Sequence, residues 1–355
     1  MSIIPFESKN GVLTTYNFNR RVVDLSPYSF IKSIASTAFS DITELRELIL
    51  PDSLKCIEER AFQRCPKLEK IVFPKSLNEI KANPFEGTVW NKKQLKNNGV
   101  VMVNNILIEV KTSLLFSDSL FDTVERINST AFNSQSLMKT IDLRKAKNLK
   151  TVEGYSFYNC FNVEAVYFNE DSPLKELQYG TFACCERLKE VVFPKNIEDI
   201  NACAFSPSPW YNEHLVDGEY SSLLIYKDML ISDSSVPKSM IRRDKDKAVI
   251  LPEKKELDLN LYAPDIKTIC SASFLYGDYT KIILPKGLKR INYGAFVYCT
   301  NLKEIVIPEN IEYIGDYAFS DCHSLKFNIY DLPINAAVSA NAFDDFVSSK
   351  SIFEE

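Results

Sequence analysis

The sequence predicts a repeat solenoid, a short motif wound many times around one column of buried side chains. Three observations carry that prediction. A small residue followed by phenylalanine recurs at a near-constant interval. Aliphatic residues keep fixed offsets from each phenylalanine. A short alternating apolar run then ends in proline.

The phenylalanine pairs are Ala38-Phe39, Ala61-Phe62, Ala131-Phe132, Ser156-Phe157, Thr181-Phe182, Ala204-Phe205, Ser273-Phe274, Ala295-Phe296, Ala318-Phe319 and Ala342-Phe343, with Pro84-Phe85 a weaker copy. Neighbouring steps are 23 residues or within two of that, and the two exceptions, 47 and 69, are close to two and three periods. Five residues before each Phe stands an aliphatic (Ile34, Ile57, Ile80, Ile127, Val152, Ile291, Ile314), and three before that another (Ile31, Leu54, Leu77, Val124, Leu149, Leu288, Ile311). After the Phe the pattern runs through Leu45, Leu48, Leu50 and Pro51, or Leu302, Ile305, Ile307 and Pro308. Its β-branched alternation reads as a strand, and the proline cannot extend a ladder, so the chain turns there. One such strand cannot bury its apolar face alone; stacked copies can, with each Phe resting on the next.

The repeat closely resembles the BspA-like, or Treponema pallidum type, leucine-rich repeat, typified here by residues 302 to 322, and the resemblance covers about residues 25 to 343. It implies a right-handed leucine-rich-repeat superhelix with a curved parallel β-sheet on the concave face and short irregular, strand or helical-turn segments on the convex face. It also implies adhesins or interaction scaffolds, often at the cell surface or secreted.

The expected organisation is an N-terminal cap at 1-21, a solenoid at 22-331 and a C-terminal cap at 332-355 containing Phe343, Phe346, Ile352 and Phe353, since bare solenoid ends expose sheet edges. Modified repeats fill 86-123 and 206-265. Each begins with a tryptophan five residues after the repeat Phe, Trp90 or Trp210. Each then holds two apolar runs split by a polar dipeptide, Asn104-Asn105 or Lys227-Asp228, which suggests a protruding β-hairpin seated by the tryptophan. The alternative is a tryptophan that only fills a wider turn. The charged stretch Arg242 to Lys247 reads as a solvated loop tip.

Composition narrows the function. The chain of 355 residues carries a net charge of -5 with both signs interspersed, which argues against nucleic acid and anionic membrane as partners. No apolar run approaches the roughly 20 residues that cross a bilayer, and the first residues lack the features of a secretory leader, which favours an intracellular location against the family's surface habit. Nine cysteines are scattered without Cys-x-x-Cys spacing; Cys65, Cys160, Cys185, Cys299 and Cys322 fall three residues after the repeat Phe and read as buried packing thiols, as do Cys56, Cys203 and Cys270. The only histidines, His214 and His323, lie far apart in sequence, and no glycine-rich phosphate loop occurs among ten glycines. No catalytic residue, metal or cofactor is expected.

What remains is the outward row of each strand. Alternation points Glu47 and Ile49, Lys70 and Val72, Thr140 and Asp142, Ala165 and Tyr167, Glu190 and Val192, Lys281 and Ile283, and Glu304 and Val306 away from the core. One row is polar and the next largely apolar, offering a shallow stripe for a protein or glycan partner. The plainer reading is that β-branched residues stand there because they suit strands. A monomeric, non-catalytic recognition scaffold is therefore expected; the alternative is a self-associating structural or spacer protein without a specific ligand.

Overall fold

The computed structural model describes residues 6–111, 118–205, 207–217, 222–233, 255–328 and 331–343; Arg242 to Lys247, Phe346, Ile352 and Phe353 lie outside them. The chain divides between residues 196 and 197 into two units. Both are parallel β-solenoids in which each turn contributes two short strands.

In the first unit the three-residue strands Val22–Asp24, Glu47–Ile49 and Lys70–Val72 pair in parallel, Val23 opposite Leu48 and Leu48 opposite Ile71. A second sheet of the same kind joins Thr140–Leu143, Ala165–Phe168 and Glu190–Val192. The aliphatic five residues before each Phe forms the other series, the two-residue strands Ser33–Ile34, Cys56–Ile57 and Glu79–Ile80, then Arg126–Ile127 and Thr151–Val152. Between the two series lie the phenylalanines, fully buried, with ring centroids 5.2 Å apart for Phe39 and Phe62, 5.5 Å for Phe62 and Phe85, 4.9 Å for Phe132 and Phe157 and 5.0 Å for Phe157 and Phe182. That spacing follows the roughly 4.8 Å between strands, and each ring removed from water stabilises the stack by about 1.5–3 kcal/mol. The small residue before each Phe lets the next backbone approach: Phe39 donates its N–H to the Ala61 carbonyl at 2.9 Å.

The chain reverses around each Phe by placing the residues two before and two after it in the left-handed region. Thr37 and Asp41 flank Phe39 at φ 58° and 65°, Arg60 and Arg64 flank Phe62 at 53° and 58°, and Tyr155 and Asn159 flank Phe157 at 61° and 60°. Few of these residues are glycine, which hid the feature from a sequence reading keyed to glycine.

Two antiparallel hairpins belong to this unit. Phe6–Lys9 turns through Asn10 and Gly11, at φ 51° and 80°, into Val12–Tyr16, the geometry an Asn-Gly turn favours. Val100–Val103 turns through Asn104, at φ 51°, into Ile106–Val110. Neither stands free of the solenoid. The second strand of each is a rung of the two-residue ladder, Leu13 pairing with Ile34 and Leu107 with Ile127. Tyr16 stacks on Phe39 at 5.0 Å and so opens the aromatic column. Trp90 closes it at Phe85, 4.9 Å away, from the first turn of the helix Val89–Asn98. Thr88 caps that helix by accepting the Asn91 N–H, and Gly99 ends it at φ 73°.

In the second unit Leu215–Asp217, Ser222–Tyr226 and Met229–Asp233 form an antiparallel meander. Its last strand pairs in parallel with Thr268–Ile269, and the ladder continues through Arg290–Ile291, Tyr313–Ile314 and Ala337–Val338. The three-residue sheet is Glu256–Asp258, Lys281–Ile283 and Glu304–Val306. Phe274, Phe296, Phe319 and Phe343 stack at 4.9, 5.1 and 5.0 Å. Trp210, the second residue of the helix Pro209–Glu213, stacks on Phe205 at 4.5 Å.

Candidate functional site

The strand alternation divides the three-residue sheets as their pleat requires. Leu48, Ile141, Val166, Val191, Ile282 and Ile305 are buried, while Ile49, Tyr167, Val192 and Ile283 are half-buried and Val72 and Val306 are exposed by 43% and 41%. Ala165 is the exception among the outward residues; its methyl group is too short to clear its neighbours and it is buried.

The apolar row is broken into three short patches. The first strand of each three-stranded sheet carries an aspartate as its third residue, and each carboxylate accepts the N–H two residues on: Asp24 from Ser26 at 2.9 Å, Asp142 from Arg144 at 3.1 Å, Asp258 from Asn260 at 2.9 Å. The rows therefore read Asp24, Ile49, Val72; Asp142, Tyr167, Val192; and Asp258, Ile283, Val306. A carboxylate on a first strand discourages further pairing there. Asp24 and Asp258 escaped the sequence reading; the signal was an aspartate where later turns carry a β-branched residue, followed two positions on by Ser or Asn.

The polar row beside it is internally neutralised. Lys70 pairs with Glu47 and Lys281 with Glu304, both at 2.6 Å across one turn, and the Glu304 carboxylate holds the Lys281 ammonium above its ordinary range. The middle sheet holds a connected group. Arg144, which sequence reasoning missed, folds back to bond Asp142 and lies over the Tyr167 ring at 5.1 Å, while the Tyr167 hydroxyl donates to Glu190 at 2.8 Å. Its bond to the Glu190 carboxylate raises the Tyr167 hydroxyl, and the Arg144 guanidinium lowers the Asp142 carboxyl. An aromatic face held between a guanidinium and a carboxylate presents a rigid amphipathic contact. Thr140 is exposed at the start of the same sheet.

No disulfide joins the cysteines among the described residues, and the five in register are buried. Burial pushes the Cys65 thiol up to about 11 and drives that of Cys299 well above its ordinary range, so these sulfurs stay protonated and unreactive near neutrality. His214 donates through Nδ1 to the Trp210 carbonyl, 2.8 Å away, and His323 is exposed beside Asp321. Among the described residues no group of three or more His, Cys, Asp or Glu side chains could hold a metal ion, and no helix is long and apolar enough to cross a membrane.

An open cleft of about 470 Å3 lies at the foot of the Val100–Val103 and Ile106–Val110 hairpin. Both carboxylates in its wall are held by lysines, Glu125 by Lys150 at 2.6 Å and Glu79 by Lys81, and both are lowered by those bonds. Acids kept ionised in this way are poor proton donors.

Comparison with known proteins places the repeat. The sequence profile of the BspA type leucine-rich repeat region matches in six copies, over residues 9–107, 111–216 and 259–353. No curated protein matches. Similar solved structures include the leucine-rich-repeat protein of T. pallidum, 21% identical over 53% of this chain and 74% of that one, with a TM-score of 0.29. A leucine-rich cell surface protein of Faecalibacterium prausnitzii is 16% identical over 94% of this chain and 81% of that one, with a TM-score of 0.31. The pneumococcal vaccine antigen PcpA is 18% identical over 94% of this chain and 74% of that one, with a TM-score of 0.29. On the extent of the repeat match, the chain belongs to the BspA-type leucine-rich-repeat family.

Proposed function

We propose that this chain is a non-catalytic recognition scaffold that binds a protein partner through the outward faces of its three-residue sheets. The observation that carries the reading is the pairing of apolar side chains left outside the core, Ile49 with Val72, Tyr167 with Val192 and Ile283 with Val306, beside polar residues already neutralised by one another. Such a surface loses little charge solvation on contact and gains from covering apolar area. Tyr167 is the strongest anchor, because its ring is oriented before any partner arrives. Membership of a repeat family built on binding surfaces agrees with this role, and an adhesive role would be one form of it.

The test is the double variant Tyr167→Asp/Val192→Asp. A partner recovered from native extract by the wild-type chain is identified, prepared pure and titrated against both proteins. The reading predicts a loss of affinity of at least about tenfold, roughly 1.4 kcal/mol. Unchanged affinity for a well-folded variant overturns it.

A further inference from the structure

The two-residue ladder of the first unit, which also breaks after Thr151–Val152, is interrupted first at a hairpin. It runs to Glu79–Ile80, and the next sheet starts afresh with the hairpin strands Val100–Val103 and Ile106–Val110 beside Arg126–Ile127. The cleft of about 470 Å3 lies at that interruption, within the roughly 300–1,000 Å3 that small-molecule sites occupy.

Its apolar lining is supplied by buried Leu77 and Ile106. Its walls are polar and fixed before any ligand arrives. Asn104 donates to the Pro74 and Leu77 carbonyls at 3.1 and 2.8 Å, pinning the hairpin to the preceding turn. Glu125 accepts from Asn105 at 3.0 Å and from Lys150 at 2.6 Å, and Arg126 is held by Glu153 at 2.8 Å. Held side chains lose little freedom on binding.

The lining charges do not cancel. Lys75, Arg126 and Lys150 face two carboxylates, Glu79 and Glu125, which leaves one cation in excess. Among the described residues Arg126 and Lys150 are paired, whereas Lys75 has no carboxylate within ion-pair reach. The cleft thus offers a spare positive charge beside carboxylate and amide oxygens that only accept hydrogen bonds. A simple carboxylate would satisfy the cation and bring no donor to the lone pairs that Glu79 and Glu125 keep beyond their existing bonds. A neutral sugar would supply hydroxyl donors and leave Lys75 uncompensated. Only a molecule with both features answers the whole lining.

We propose that this cleft binds a sugar acid, a polyhydroxylated ring bearing one carboxylate, with the carboxylate at Lys75 and the hydroxyls donating to Glu79, Glu125 and the neighbouring amides. The site is separate from the sheet faces and stands or falls independently of them.

Calorimetric titration of the full chain with glucuronic acid tests the proposal, with glucose and acetate as controls. Saturable binding of glucuronic acid is expected, with glucose and acetate each weaker by at least about tenfold. Lys75→Glu, at an exposed position, and Asn78→Asp, which adds charge to the same wall, should each weaken glucuronic acid by about tenfold or more, while Tyr167→Asp/Val192→Asp leaves it unchanged. Absence of saturable binding at up to about 20 mM, equal binding of glucose or acetate, or indifference to both wall variants in folded protein overturns it.

Discussion

Cys322 donates its thiol hydrogen to the carbonyl oxygen of Phe296, one turn away, at 3.1 Å. The same bond recurs from Cys299 to Phe274, Cys185 to Phe157, Cys160 to Phe132 and Cys65 to Phe39, at 2.9 to 3.2 Å. Where Gln135 takes the cysteine position, its amide donates to the Val110 carbonyl instead, at 2.9 Å. The position therefore selects a small or slender donor that adds a bond to the carbonyl of the Phe one turn away, and at Phe296 and Phe274 this bond joins one from the Cys299 and Gly277 N–H groups at 3.2 and 2.8 Å.

Removing that donor is expected to be costly out of proportion to its size. Cys322→Ala should lower stability by about 1–2 kcal/mol, from a small cavity and a lost hydrogen bond together, as measured by urea denaturation followed by circular dichroism. A change below about 0.5 kcal/mol would mean that the thiol merely fills space.

The left-handed residues around each Phe make a second prediction, of opposite sign at two places. Thr37 is exposed and β-branched at φ 58°, so Thr37→Asn should raise stability by about 0.5–1 kcal/mol, because asparagine tolerates that conformation better. Gly180 sits at φ 67°, and a Cβ there would lie 2.5 Å from the Tyr155 ring; Gly180→Ala should lower stability by about 1–2 kcal/mol. Thermal midpoints of the two variants should move in opposite directions, and movement in one direction would contradict the assignment.

Alkaline pH should weaken the fold through the buried thiols. Burial pushes Cys65 up to about 11 from an ordinary 9.0, so above pH 9 the unfolded chain releases a proton that the folded chain keeps. Stability is full below that pH and falls as pH rises towards 11. Denaturation midpoints between pH 8 and pH 10.5 should therefore decline, and less steeply in Cys65→Ala; an identical slope in the variant would exclude Cys65 as a source.

The repeat was legible in the sequence because the Phe and aliphatic offsets are set by one repeated contact, and each of Phe39, Phe62, Phe157 and Phe296 touches its counterpart. The outward row was legible for the same reason, since period-two alternation leaves no choice of face. Its interruption was not, because Asp24 and Asp258 act through a bond to the next backbone N–H and carry no periodic signal. Arg144 was invisible as well: its place over Tyr167 joins residues 23 apart in sequence through the turn geometry. The hairpins announced their turns through Asn104-Asn105 and Lys227-Asp228, but not that their second strands would serve as rungs.

The whole account requires that residues one repeat apart be side-by-side neighbours. Ile49 and Val72 are paired across adjacent parallel strands with both side chains outward, and directly paired strand residues fall within the roughly 4.4–6.8 Å between Cα atoms that a disulfide spans. Mass spectrometry of oxidised Ile49→Cys/Val72→Cys, digested without reduction, should find the two engineered cysteines joined in one cross-linked peptide, with the native thiols still free. Folded protein in which the two stay unlinked under oxidation would contradict the stacked register and, with it, the sheet-face surface proposed for recognition.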